Sequence, residues 1–131
     1  MPIQNPEIII AQKAKKAIYE IKPNKEFVNY LKGLPSNIVQ NGLIQTLAFI
    51  KGKDESKYKQ LYKTLHQFFV EYFKNPEIVL PDNDMLNYLT DNLNDLTTYI
   101  LYQKGILTFC IWLKQFGNAF YNVQSQPSTE N

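Results

Sequence analysis

A chain of 131 residues with 44% hydrophobic and 14% aromatic side chains is long enough to bury roughly two-thirds of its unfolded surface around one core, which excludes a wholly disordered polypeptide. A net charge of +2 excludes strong general affinity of the free chain for polyanions, and the lone cysteine, Cys110, excludes an internal disulfide. No basic-then-apolar leader opens the sequence and no window approaches about 18 consecutive apolar residues, so a cytoplasmic protein with no membrane contact is expected.

The first element is an amphipathic helix over 6–22. Asn5 and Pro6 form its cap and first turn, and Ile10, Ala14, Ala17, Ile18 and Ile21 share one face, with Lys13, Lys16 and Glu20 opposite. Pro23 stops it. Asn24 then caps a short helix carrying Phe27, Val28, Tyr30 and Leu31, and Gly33 and Pro35 end that helix. A central helix is expected from Pro35 to about Lys51. Between Gly33 and Ile50 there is no charged side chain. Ile38, Val39, Leu43, Leu47, Phe49 and Ile50 fall on one arc of this helix, with Gly42 in the middle to admit a neighbouring backbone. The other face is amide: Asn37, Gln40, Asn41 and Gln45. A face meant for bulk water usually carries Lys and Glu, so this one points to burial or to contact with a neighbour; the alternative is compositional, since Asn and Gln are common throughout the chain.

Residues 51–55 make a polar turn. A helix from Glu55 to Phe73 follows, with Tyr58, Leu61, Tyr62, Leu65, Phe68, Phe69 and Tyr72 at the i, i+3, i+4, i+7 spacing and Lys59, Lys63 and His66 outside. The proline-bounded segment 75–83 reads as linker, extended over Ile78 to Leu80, with Asp82 or Asn83 capping a short helix through Tyr88. From Asp91 to Tyr121 a long helix is expected, with a kink or break near Gly105. Its stretch Ile106 to Leu113 is apolar nearly all round and must be surrounded. Residues 1–5 and 123–131 read as flexible tails. The fold class is therefore all-α, a compact single-domain bundle of five to seven helices spanning 1–131.

The chemistry of an enzyme is missing from this pattern. His66 has no ligand-type partner at helical spacing, and buried in its apolar run Cys110 reads as a small hydrophobe. A calcium loop opening at Asp82 would need Gly and Glu where Asn87 and Leu93 stand. A phosphate loop ending at Gly52 and Lys53 would need Gly at Leu47. No catalytic residue, metal or cofactor is expected. The cations carry more information, because all 14 are lysines. Lysine is a mobile point charge suited to phosphate contact, whereas arginine suits bidentate base recognition. Residues 11–32 hold six lysines against two glutamates and residues 51–74 six against three acids, while 75–103 hold five acids and no lysine. Basic and acidic sides are expected.

Two segments carry a resemblance. LPSNIVQNGLIQTLAFIKGK, with Leu34, Pro35, Ile38, Asn41, Gly42, Leu43, Leu47, Ala48, Phe49 and Lys51, resembles the signature of the small helical subunit family of the type III-B CRISPR RNA-guided effector, the Cmr complex. WLKQFGNAF is similar to a second family segment through Trp112, Leu113, Lys114 and Phe116, with Gln115 standing where the family tends to have Arg and Gly117 where it tends to have Ala. The resemblance implies a non-catalytic subunit in antiviral defence. It also implies stacked copies beside a repeated backbone ribonuclease subunit and a large polymerase-like subunit, with a basic face along guide and target RNA. Together with the charge pattern it nominates Lys13, Lys16, Lys51, Lys53, Lys57, Lys59, Lys63 and Lys114 as RNA-backbone contacts, and the motif residues as core or interface. A purely protein-binding scaffold with solubilising lysines is the alternative.

Overall fold

A computed structural model describes residues 6–74, 84–91 and 95–125, with side chains through Asn122. Six α-helices and no strands occur among them: α1 (Pro6–Ile21), α2 (Lys25–Asn41), α3 (Leu43–Lys51), α4 (Ser56–Phe73), α5 (Met85–Asp91) and α6 (Leu96–Ser125). The all-α expectation holds. α6 is the mast of the bundle, with α1 and α2 packed along it and α4 lying between α1 and α3.

The apolar face expected of α1 is the face it buries, with Ile10, Ala14, Ala17, Ile18 and Ile21 all in the core. It ends in a left-handed turn at Lys22 (φ 52°), whose N–H donates to the Ile18 carbonyl at 2.8 Å. Asn24 caps α2 as expected, its Oδ1 accepting from Phe27 N at 2.9 Å.

The main departure comes next. α2 does not stop at Gly33 and Pro35 but runs through both to Asn41, and the chain breaks at Gly42 instead. An interior proline forfeits one backbone hydrogen bond and costs about 3 kcal/mol. Leu31, Leu34 and Ile38, on the same face, are all completely buried. Each repays roughly 1.5–3 kcal/mol of transfer free energy, so packing outweighs the proline. At Gly42 φ is 87° and ψ 160°, a conformation open essentially to glycine alone. The expected single helix over 35–51 is therefore two helices meeting at an elbow. One consequence is that Val39 (66% exposed) and Phe49 (52%) leave the apolar arc and face solvent, while Ile38, Leu43, Leu47 and Ile50 stay buried.

α4 matches its expected span and buries Leu61, Leu65, Phe68 and Phe69. The Phe68 ring stacks on Phe109 of α6 with centroids 4.1 Å apart. Ile78 to Leu80, Asp82 and Asn83 lie outside the described residues. The cap of α5 is Asp84, whose Oδ1 accepts from Asn87 N at 3.0 Å. Asp95 caps α6 in the same way through Thr97 N. α6 passes Gly105 without a break and continues to Ser125, beyond the end expected at Tyr121. Gly105 is there for space: a Cβ would lie 2.5 Å from the Phe73 ring. Gly117 is equally confined, its absent Cβ 2.9 Å from Leu31 and 3.5 Å from Ile18, so α1 and α2 both close onto α6 at that point.

Candidate nucleic-acid interface

The eight nominated lysines divide by position. α4 sits between α1 and α3, so its outer face is a ridge with two basic flanks. Lys59 and Lys63, one turn apart, are exposed on the crest. Lys13 and Lys16 stand on the α1 flank, where they line a cleft with Thr64, Gln67 and Glu71 of α4. Lys51 and Lys53 stand at the end of α3 on the opposite flank. Lys57 reaches from α4 to the end of α1. Lys114 is not brought to this set. It lies one turn beyond Ile111 and two beyond Leu107 on α6, and those two residues line a groove with Pro35 and Val39 of α2.

Several of these cations already have internal work. Lys13 Nζ pairs with Glu71 Oε1 at 3.1 Å. Hydrogen bonds from Gln67 and Lys13, with the Lys13 and Lys16 charges, hold the Glu71 carboxyl below its ordinary pKa. Lys57 Nζ donates to the carbonyls of Ile21 (3.0 Å) and Lys22 (3.1 Å), closing the end of α1 where cations are favoured. Lys51 pairs with Asp84, which also accepts from Tyr62 Oη at 3.1 Å, so α3, α4 and α5 are tied at one carboxylate. Burial alone would raise the Asp84 pKa, but hydrogen bonds from Lys51, Asn87 N and Tyr62 carry it below the ordinary value. Lys59 approaches Asp54 at 3.7 Å with both groups in solvent, a contact worth little. Lys53 Nζ lies 4.9 Å from the Phe49 centroid and 5.6 Å from that of Tyr58. Lys16 and Lys63 form no ion pair among the described residues. The sequence could not name Glu71 and Asp84 as partners, because they lie 58 and 33 residues from their lysines.

His66 is half-buried on the α5 side of α4, and its Nε2 has no hydrogen-bond partner. Burial holds its pKa below 6.5. Cys110 is fully buried and its thiol is pushed up by that burial. Among the described residues no group of three His, Cys, Asp or Glu side chains is placed to hold a metal ion, and no helix is long and apolar enough to cross a membrane. Of the motif residues, Leu34, Ile38, Leu43, Leu47 and Leu113 are core, Pro35, Trp112 and Phe116 are half-buried, and Asn41, Ala48 and Phe49 are exposed.

Residues 8–120 match the family model described as CRISPR-associated protein (Cas_Cmr5). The chain belongs to the Cmr5 family. Along with the core residues, the match takes in the elbow, the α4 ridge and both segments that carried the resemblance, which is thereby confirmed. A relative from Thermotoga maritima, named CRISPR system Cmr subunit Cmr5, is 26% identical over 98% of this chain and 95% of its own length. The crystal structure of a CRISPR-associated Cmr5 family protein from Thermus thermophilus superposes with a TM-score of 0.69, covering 90% of this chain and 98% of that one at 23% identity. It shares the fold of this Cmr5 family member.

Proposed function

We propose that this chain is a non-catalytic small subunit of a type III-B CRISPR RNA-guided effector complex, acting in cytoplasmic antiviral defence. Copies of it stack along the assembly beside the repeated backbone ribonuclease subunit and the large polymerase-like subunit, and the α4 ridge follows the sugar-phosphate chain of guide and target RNA. The observation that carries the reading is the pair Lys59 and Lys63 exposed on α4, with Lys13 and Lys16 of the neighbouring α1 on one side and Lys51 and Lys53 at and just after the end of the neighbouring α3 on the other, in a chain of the Cmr5 family. Lysine without arginine suits contact with phosphates irrespective of sequence.

Lys16, Lys53 and Lys63 are the cleanest probes, because none is tied into the internal pairs of Lys13, Lys51 and Lys57. Replacing all three by Gln in the assembled complex lowers the log–log salt slope of target-RNA binding by roughly 2–3, at about 0.7–0.9 per lost phosphate contact. An unchanged slope and affinity rejects the ridge as an RNA contact.

Exposed apolar side chains favour a second reading, a scaffold that binds only proteins. Leu96 is 72% exposed, and Ile100, Leu101 and Val39 are all more than half exposed. A shallow apolar groove between α1 and α6 is lined by Ile8, Ala11, Trp112 and Phe116. In the leading reading these surfaces meet neighbouring subunits while the ridge meets RNA. Photocrosslinking of the assembled complex separates the two: crosslinks from the ridge to RNA support the first, and crosslinks from the ridge to protein alone support the second.

A further inference from the structure

The amide face is left unused by the lysine ridge, and the elbow turns it into a concavity. Asn37 and Asn41 lie one turn apart on α2, Gln45 and Phe49 one turn apart on α3, and together with Thr46 they line an open groove of about 260 Å³. No charged side chain lines it. Asn37, Asn41 and Gln45 make no hydrogen bond to another described residue, so three carboxamides keep both donor and acceptor available. Thr46 has spent its hydroxyl on the Gly42 carbonyl at 2.9 Å. The Phe49 ring is 52% exposed, yet it is held from behind by Tyr30, with centroids 6.2 Å apart and planes inclined by 22°. Lys53 does not line the groove, but its ammonium lies over the Phe49 ring, 4.9 Å from the centroid, and forms no ion pair among the described residues.

We propose that this groove is a binding pocket for a single unpaired RNA base, adenine above the others, with Phe49 as the stacking platform, the three amides reading the base edge and the Lys53 ammonium moving from the Phe49 ring to the adjoining phosphate. The proposal rests on the reading of the chain as an RNA-contacting subunit and adds a base site that adjoins the α4 ridge and shares Lys53 with it, while Phe49 and the three amides belong to the pocket alone. Three properties favour a base over a protein segment. The groove is smaller than the 300–1,000 Å³ of ordinary ligand sites, so it has room for one flat ring system and not for a helix. Asn and Gln are the side chains whose paired donor and acceptor match adenine. The strongly apolar surfaces that suit protein docking lie elsewhere, on α6 and between α1 and α6. A paired base cannot enter, because its edge and both faces are occupied within the duplex, so the ligand is a base in a single strand or turned out of a helix.

The test uses the purified chain and two fluorescent 12-residue oligomers of equal charge, oligoadenylate and an abasic ribose-phosphate chain, with oligouridylate of the same length as a control for base identity, followed by anisotropy at several salt concentrations. Oligoadenylate is expected to bind about tenfold tighter than the abasic oligomer, by a ratio that does not change with salt, since stacking is not a counterion effect. Phe49→Ala abolishes the ratio while leaving abasic affinity within about twofold, Phe49→Tyr keeps it, and Asn41→Ala brings oligoadenylate down toward oligouridylate. Phe49 lies outside the core, and circular dichroism of each variant checks the fold. Equal binding of the two oligomers, or a preference that survives Phe49→Ala, overturns the pocket and leaves the lysine ridge standing. Binding of neither oligomer also overturns the pocket, with the ridge then decided by the salt slope of the assembled complex. If Phe49→Ala blocks assembly with the other subunits and leaves oligomer binding unaltered, the groove belongs to a protein neighbour and the base proposal falls.

Discussion

Substituting alanine at Gly33 and at Gly42 makes the same chemical change nine residues apart in sequence, yet the two changes are expected to have opposite effects. Gly33 is exposed in the interior of α2, and a Cβ there would meet nothing within 4 Å. Gly33→Ala therefore removes backbone freedom from the unfolded chain at no steric cost and stabilises by about 0.5–1 kcal/mol. At Gly42 there is also room, the nearest atom being Tyr99 Oη at 3.8 Å. The obstacle is the backbone itself, at φ 87° and ψ 160°. Holding an alanine there costs about 1–3 kcal/mol, so the two variants differ by about 1.5–4 kcal/mol. In urea, with a slope of about 2 kcal/mol per molar, their unfolding midpoints separate by about 1–2 M and the slopes stay alike. If the chain were instead one straight helix from Pro35 to Lys51, Gly42→Ala would gain helix propensity and stabilise just as Gly33→Ala does. Equal or parallel shifts of the two midpoints would refute the elbow and, with it, the groove built on it.

Three further outcomes are expected. Gly105→Ala destabilises by about 1–2 kcal/mol despite its better helix propensity, because the Phe73 ring 2.5 Å away is wedged between Phe69, Tyr72 and Tyr102; Phe73→Leu in the same chain restores part of the loss in thermal melts. Asp84→Asn keeps the cap of α5 but not the charge, and costs about 1 kcal/mol at neutral pH after allowance for the half-exposed Lys51. Because the folded carboxyl titrates below its ordinary 3.8, the wild-type advantage is complete above that value and disappears as pH falls through the lower folded value, so the two denaturation midpoints converge in acid. A thiol reagent leaves Cys110 untouched in the folded chain over many minutes at mildly alkaline pH and modifies it at once in denaturant; rapid reaction under native conditions would contradict the burial.

Much of the bundle was readable from periodicity because local and tertiary preferences agree there. α1 and α4 bury the faces that their spacing marks, and Asn24 caps where a cap is written. The α2–α3 corner was not readable, since Pro35 resembles a start signal and Gly42 a spacer. Only the buried row Leu31, Leu34 and Ile38 tells the helix to continue through the proline, and that row is defined by α6, far along the chain. Gly105 misled in the same way: a ring from α4, not a bend, demands it. The lysines could be counted but not sorted. Whether one faces solvent or a carboxylate depended on Glu71 and Asp84, which no local pattern connects to Lys13 and Lys51.

α3 begins without a side-chain cap of its own. Its first N–H, on Leu43, is taken by Gln103 Oε1 at 2.9 Å and Tyr99 Oη at 3.2 Å, both on α6. The corner is thus a product of the assembled domain and not of its own twenty residues. A peptide of 34–53 cut from the chain loses the acceptors that hold it bent, and grafting the motif onto another helical scaffold transfers its shape only if Tyr99 and Gln103 travel with it.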